Sequence, residues 1–216
     1  MSETVLDVSM PWYRTLNRDQ WRVLLASNLG WLFDGFEIYA LFLTVGFALH
    51  QLLEASQYAQ IPRYAGYILA TTVFGWATGG VIGGVVAYYI GRKPTAMLYY
   101  AMCVILTPVV YLWTHTLGTL LIAVAIFGFF TGGIWAWAPI WLPELFPTRI
   151  RGTGVAFCYN APRWIACIGP LIAGALIVGL GGYGPAATLV GLFFLVGIAV
   201  SPILPETKGK PLLDAV

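Results

Sequence analysis

Apolar residues in this chain come in long runs broken by short polar stretches. The run from Val23 to Leu49 carries two charges, Asp34 and Glu37. The run from Tyr64 to Ile90 carries none, and the run from Thr95 to Leu142 holds no Asp, Glu, Lys or Arg. A helix rising about 1.5 Å per residue crosses hydrocarbon in about 20 residues, so each run spells at least one membrane crossing. The third run is too long for one crossing and breaks at His115-Thr-Leu-Gly118. Two more apolar stretches follow, set off by a polar loop at 143–154 and a glycine-rich turn at 179–185. The pattern predicts helices over 22–49, 64–90, 96–114, 118–142, 154–179 and 186–203, the fifth interrupted at Asn160-Ala-Pro-Arg163. The fold class is all-α: a polytopic membrane helix bundle. It forms one domain over 1–216, with 1–21 and 204–216 outside the bilayer.

Local signals refine this plan. Asn17 reads as an N-cap with Asp19 in the first helical turn. Trp21 and Arg22 suit the interface, as an aromatic anchor and a snorkelling cation. Gly75, Gly79 and Gly83 repeat at four-residue spacing, overlaid by Gly80 and Gly84. Such a small-residue face lets a neighbouring helix come close. Trp135, Trp137 and Trp141 surround Pro139 and suit either a ligand stack or an interfacial belt.

Composition makes the membrane reading firm. The chain is 59% hydrophobic and 9% charged, where a soluble domain carries about 25% charged residues. Its mean hydropathy is +0.81. The net charge of +2 comes with no basic patch outside short loops, so nucleic acid is not an expected partner. Cys103, Cys158 and Cys167 lie in apolar segments without paired spacing and read as small packing residues. His50 and His115 sit far apart at segment ends. No metal site, cofactor or catalytic constellation is expected, and the protein does not read as an enzyme. The polar stretch from Met1 to Asp19 does not read as a signal peptide.

The charges also orient the chain. Arg14, Arg18, Arg22, Arg92, Lys93, Arg149, Arg151, Lys208 and Lys210 fall on one side of a six-helix zigzag, and Arg63 on the other. The positive-inside rule then sets both termini in the cytoplasm, in a multi-pass protein of the plasma membrane. Three charges are left inside the bilayer. Asp34 and Glu37 lie three residues apart, on one helical face. An acid at mid-depth costs about 2.5–3.5 kcal/mol on insertion scales, so the pair should face protein or a water-filled cavity. They are candidates for sharing a coupling proton; the alternative is a buried polar pair that joins helices. Arg163, about 13 Å into the fifth helix, is placed to grip an anionic substrate, to pair with an acid, or to snorkel. Asn28, Tyr39, Trp135 and Asn160 are second-rank cavity candidates.

Three motifs carry a resemblance. Asp-Gly-Phe-Glu at 34–37 resembles the acidic signature in the first helix of aromatic-acid symporters. Pro143-Glu-Leu-Phe-Pro-Thr-Arg-Ile-Arg-Gly152 is similar to the segment between helices ten and eleven of the major facilitator superfamily. Pro205-Glu-Thr-Lys-Gly-Lys210 is similar to the sequence after that superfamily's last helix. The chain therefore resembles this superfamily, in particular its sugar and aromatic-acid proton symporters, whose fold joins two six-helix halves. It looks shortened to the first two and last four helices, joined at Gly91-Arg-Lys-Pro94. The resemblance implies a gating loop: Gly84, Gly91, Arg92 and Lys93 fit its pattern, with Glu144, Arg149 and Arg151 in a companion loop. Tyr88 and Tyr89 stand where the pattern has an acid and a base. The expected function is proton-coupled transport of a small solute, an organic or aromatic acid or a sugar. The alternative is a non-transporting remnant or a membrane interaction module. Expected partners are the solute, protons, the lipid bilayer and a second copy of the chain as a homodimer.

Overall fold

The structure, a computed structural model, describes residues 11–212; for Thr15, 30–44, Trp137, Ala138 and Pro170 it describes the backbone alone. Helix α1 runs over Arg18–Leu52 and starts where the capping signal says. The Asn17 side chain accepts from the Gln20 N–H at 2.8 Å, and Gln20 Oε1 accepts from the Asn17 N–H at 2.9 Å. This reciprocal pair satisfies two donors that would otherwise lack a partner at the helix end. Helix α2, Ile61–Ile90, begins three residues before its expected start. Pro62 in its first turn needs no N–H there, so the polar connection is shorter than its composition suggests. Helix α3, Arg92–Leu112, follows after Gly91 alone. The expected basic turn over 91–95 is therefore a single residue. Gly91 makes the corner at φ +106°, open to glycine at little cost, and the backbone enters α3 at once.

Helix α4, Leu117–Trp135, ends seven residues before its expected limit. The chain continues as two single turns, α5 (Trp137–Ile140) and α6 (Leu142–Leu145). Pro139 and Pro143 each lack an N–H, so an unbroken helix cannot run through them. Helices α7 (Arg151–Ala166) and α8 (Ile168–Gly179) form one bent crossing, with 52° between Arg151–Ala166 and Leu171–Gly179. The interruption expected at Asn160–Arg163 is displaced: Pro162 is accommodated inside α7. The bend comes later, where Pro170 offers no N–H to the carbonyl of Ala166. Helices α9 (Tyr183–Gly191) and α10 (Phe194–Val200) make the last crossing.

Among the described residues, four helices are long and apolar enough to span a membrane, and the bent pair makes a fifth. Helix α1, at 35 residues, exceeds the roughly 20 that one crossing needs. The closest packing joins α2 to α4 along the glycine face. A Cβ on Gly79 would lie 1.7 Å from the Phe129 carbonyl oxygen, and one on Gly75 would lie 2.3 Å from that of Ala125. From the other side, a Cβ on Gly132 would lie 2.2 Å from Trp76 Cα.

The remaining contacts tie these helices into one bundle. Helix α1 packs on α7 as α4 packs on α2. Helix α3 packs on α4 as the α9–α10 crossing packs on α1, and α3 meets that last crossing directly. Helix α1 also touches α2.

Candidate functional site

Two polar clusters stand out. The first lies about midway along the bent α7–α8 pair. Helix α7 sets Arg163 twelve residues beyond Arg151, about 18 Å along the axis. Arg163 is exposed and lies over the Tyr159 ring at 4.3 Å and near that of Trp135 at 5.9 Å. Its Nη1 donates to Asn160 Oδ1 at 3.1 Å, while the Asn160 amide donates to the Ala156 carbonyl. Trp135 meets Tyr159 edge-on at 5.6 Å, so the two rings brace each other beneath the guanidinium. Trp135 also lines an open cleft of about 570 Å³ with Trp76, Ala77, Gly80, Val81, Gly132 and Ala136. Trp76 is held there by its Nε1–H, which donates to Thr131 Oγ1 at 3.0 Å.

Of the residues expected here, Arg163, Asn160 and Trp135 come together. Asn28 does not join them: its amide donates to the Leu24 carbonyl at 2.8 Å and touches Cys158 Sγ at 3.8 Å, tying α1 to α7. That contact fixes a register. Asp34 lies six residues above Asn28, and Arg163 five above Cys158, on helices that run the same way. Their backbones are therefore level to within about 2 Å. The side chains of Asp34, Glu37, Tyr39 and Trp137 lie outside the described residues.

The second cluster ties the polar loops at the end of the bundle that carries Gly91. Arg92 reaches Glu144 with both arms, Nη2 to Oε1 at 2.7 Å and Nε to Oε2 at 3.1 Å. Thr207 Oγ1 donates to the same Glu144 oxygen. Glu206 lies at the N-terminus of α3 and accepts the backbone N–H groups of Arg92 and Lys93, each at 3.0 Å. Burial alone would raise the Glu206 pKa. The backbone donors of Lys208, Arg92, Lys93 and Thr207 outweigh it and hold the carboxyl below its ordinary range. Lys93 Nζ donates to the Pro202 carbonyl, and Lys208 Nζ to that of Tyr89. Arg151 Nε donates to the Pro143 carbonyl at 2.8 Å.

The expected loop residues thus divide. Gly91, Arg92, Lys93, Glu144 and Arg151 belong to this knot. Arg149 is exposed beside it. Gly84 lies inside α2, where an added Cβ would meet only Ile140 Cδ1 at 3.3 Å. Tyr88 and Tyr89 face outward, 66% and 69% exposed, and supply no charge. Glu206 of the tail sets a carboxylate at the N-terminus of α3, where the helix dipole favours it. Glu206, Thr207 and Lys208 were not among the expected site residues, although Pro205-Glu-Thr-Lys-Gly-Lys210 was the signal that held them. Trp76 and Tyr159 were missed as well, and nothing but the packing marks them. At the opposite end, His115 borders a shallow cleft of about 330 Å³ with Gln51 and Thr114. His50 stacks edge-on with Tyr58.

Membrane-length helices, a guanidinium beside an open cleft, and loops locked at one end mark an integral membrane protein. The model of the sugar (and other) transporter family matches two stretches, 32–157 and 96–215. The chain belongs to this family, within the major facilitator superfamily. It is similar to a provisionally named metabolite transport protein of Haemophilus influenzae, 30% identical over 148 residues that cover 68% of this chain and 36% of that one. It is 28% identical to the cis,cis-muconate transport protein of Acinetobacter baylyi over 134 residues, 62% of this chain and 32% of that one. It is 28% identical to the ascochitine biosynthesis cluster MFS transporter of Didymella fabae over 202 residues, 92% of this chain and 38% of that one. The chain spans about a third of the length of these relatives.

Proposed function

We propose that this protein carries a small carboxylate across the plasma membrane, coupled to protons, with both termini in the cytoplasm. The observation that carries the reading is Arg163, exposed at mid-depth over Tyr159 and beside the Trp135 cleft. A guanidinium stays charged and grips a carboxylate bidentately, while the aromatic rings favour a flat organic acid over a sugar. The relative named for muconate transport supports the same substrate class. Asp34 and Glu37 take the coupling proton. The knot of Arg92, Glu144, Glu206 and Thr207 closes the cytoplasmic side and opens as the helix ends separate.

Uptake into proteoliposomes, driven by an inward proton gradient, tests this. Muconate or benzoate should accumulate. R163Q should cut the initial rate more than tenfold, and D34N/E37Q should remove the dependence on the gradient. Gradient-driven uptake that survives D34N/E37Q would overturn the coupling role. A chain that binds no carboxylate and moves none would instead be the non-transporting remnant or interaction module.

A further inference from the structure

The basic residues at the knot end of the bundle divide into two groups. Arg92, Lys93, Arg151 and Lys208 give their side-chain donors to Glu144 or to backbone carbonyls. The Arg14 and Arg18 side chains are exposed and donate to nothing among the described residues. Arg22 has only the exposed Asp19, at 3.3 Å. Three arginines thus stand against one acid. Arg18 does nothing for its own helix either: it opens α1, where the helix dipole disfavours a cation.

The face they share continues as apolar surface. Arg18, Trp21, Arg22, Leu25 and Leu29 follow at helical spacing along one side of α1. All five are exposed, Leu25 at 58% and Leu29 at 45%, while Leu24, Ala26 and Ser27 between them are buried. The stripe therefore looks away from the bundle, basic at its start and apolar beyond. The Asn28–Cys158 contact fixes its level. Arg22 lies six residues before Asn28, and Arg151 of the knot lies seven before Cys158 on a helix that runs the same way. The basic end of the stripe is thus level with the knot. The chain ahead of α1 is held at the same place: Leu16 is buried and Trp12 lies against Phe157 of α7 at 5.5 Å, with Tyr13 and Arg14 on the outside.

We propose that this face of α1 seats an anionic phospholipid of the leaflet on the knot side, its phosphate on Arg18 and Arg22 and an acyl chain along Leu25 and Leu29. A guanidinium grips phosphate oxygens bidentately. Trp21 suits the boundary, because an indole lays an apolar ring against the chains and keeps an N–H for the headgroup. Arg14 adds its charge from the preceding turn. A zwitterionic headgroup carries its own cation and gains less from three arginines, so the seat selects by net charge.

The full chain in maltoside micelles is given equal amounts of dioleoyl phosphatidylglycerol and dioleoyl phosphatidylcholine and read by native mass spectrometry. Phosphatidylglycerol adducts should exceed phosphatidylcholine adducts at least about fivefold. In R14Q/R18Q/R22Q the ratio should fall below about twofold, whereas R63Q, changed at the opposite end, should keep it. R18Q alone should lower the ratio at least about twofold, which covers a triple variant that does not fold. The melting temperature of the wild type should rise with phosphatidylglycerol and not with glycerol 3-phosphate, which has the charge without the acyl chains. Equal adducts of the two lipids, an unchanged ratio in R18Q, a loss in R63Q as large as in the triple variant, or an equal rise with glycerol 3-phosphate would each overturn the proposal. None of these readouts involves transport, so the lipid seat and the carboxylate reading stand or fall separately.

Discussion

Glu144 binds three loops through one carboxylate. It takes both arms of Arg92 from the α2–α3 corner and the hydroxyl of Thr207 from the tail. The Arg92 and Glu144 side chains are 15% and 20% exposed, so water screens this pair far less than the exposed Arg22–Asp19 pair. E144Q should lower thermal stability in detergent by about 1.5–3 kcal/mol, and R92Q by a similar amount. The double variant should lose less than the sum, because each single change strands a charged partner. Glu206 acts through the backbone, so its effect depends on pH. Its folded-state pKa lies below its unfolded one, and the ionised form therefore favours the fold. The stability it adds is whole above about pH 4.3 and is lost as acid protonates the folded-state carboxyl. The stability difference between wild type and E206Q should be constant near neutrality and shrink towards zero in acid, as read by unfolding at a series of pH values.

The α2–α4 seam sets the shape of the bundle. Its glycines are not equivalent, although the four-residue spacing treats Gly79 and Gly83 as it treats Gly80 and Gly84. G79A would drive a methyl into the Phe129 backbone, which cannot rotate away. It should cost at least about 1–3 kcal/mol and shift the cleft on the same helix pair. G80A meets nothing closer than Ala136 Cβ at 3.8 Å and should be neutral or slightly stabilising, since alanine is the better helix former. Thermal unfolding of the two variants side by side checks the contrast. The corner at Gly91 is constrained twice: by φ +106°, and by Glu206 Oε2, which would lie 2.7 Å from an added Cβ. Substitution there should loosen the knot as well as strain the turn.

On the scale of the whole molecule, the proposed orientation has an even number of crossings and so brings both ends of the chain to one side. The basic residues near those ends set that side in the cytoplasm under the proposed orientation. Reporter domains fused to either end should both be protected from protease in right-side-out vesicles, and both cut in inverted ones. Helix α1 packs on α7 and α2 on α4, which ties the helices into one bundle. This packing leaves the Arg163 face uncovered.

The sequence by itself determined the membrane, the crossings and the loops that gather at one end. Each of these follows from local rules: hydrocarbon excludes charge, and helices of one length cross one thickness of bilayer. Asn17 was legible as a cap for the same reason, since its partner is three residues away. Tertiary structure decided what depends on neighbours distant in the chain. It took Asn28 out of the cavity and onto Cys158, and put Tyr159 and Trp76 beside Arg163 and its cleft. It also brought Glu206 of the tail onto the start of α3. Spacing along a helix tells which residues share a face; only the packing of a second helix against it tells whether that face is core, cleft or open.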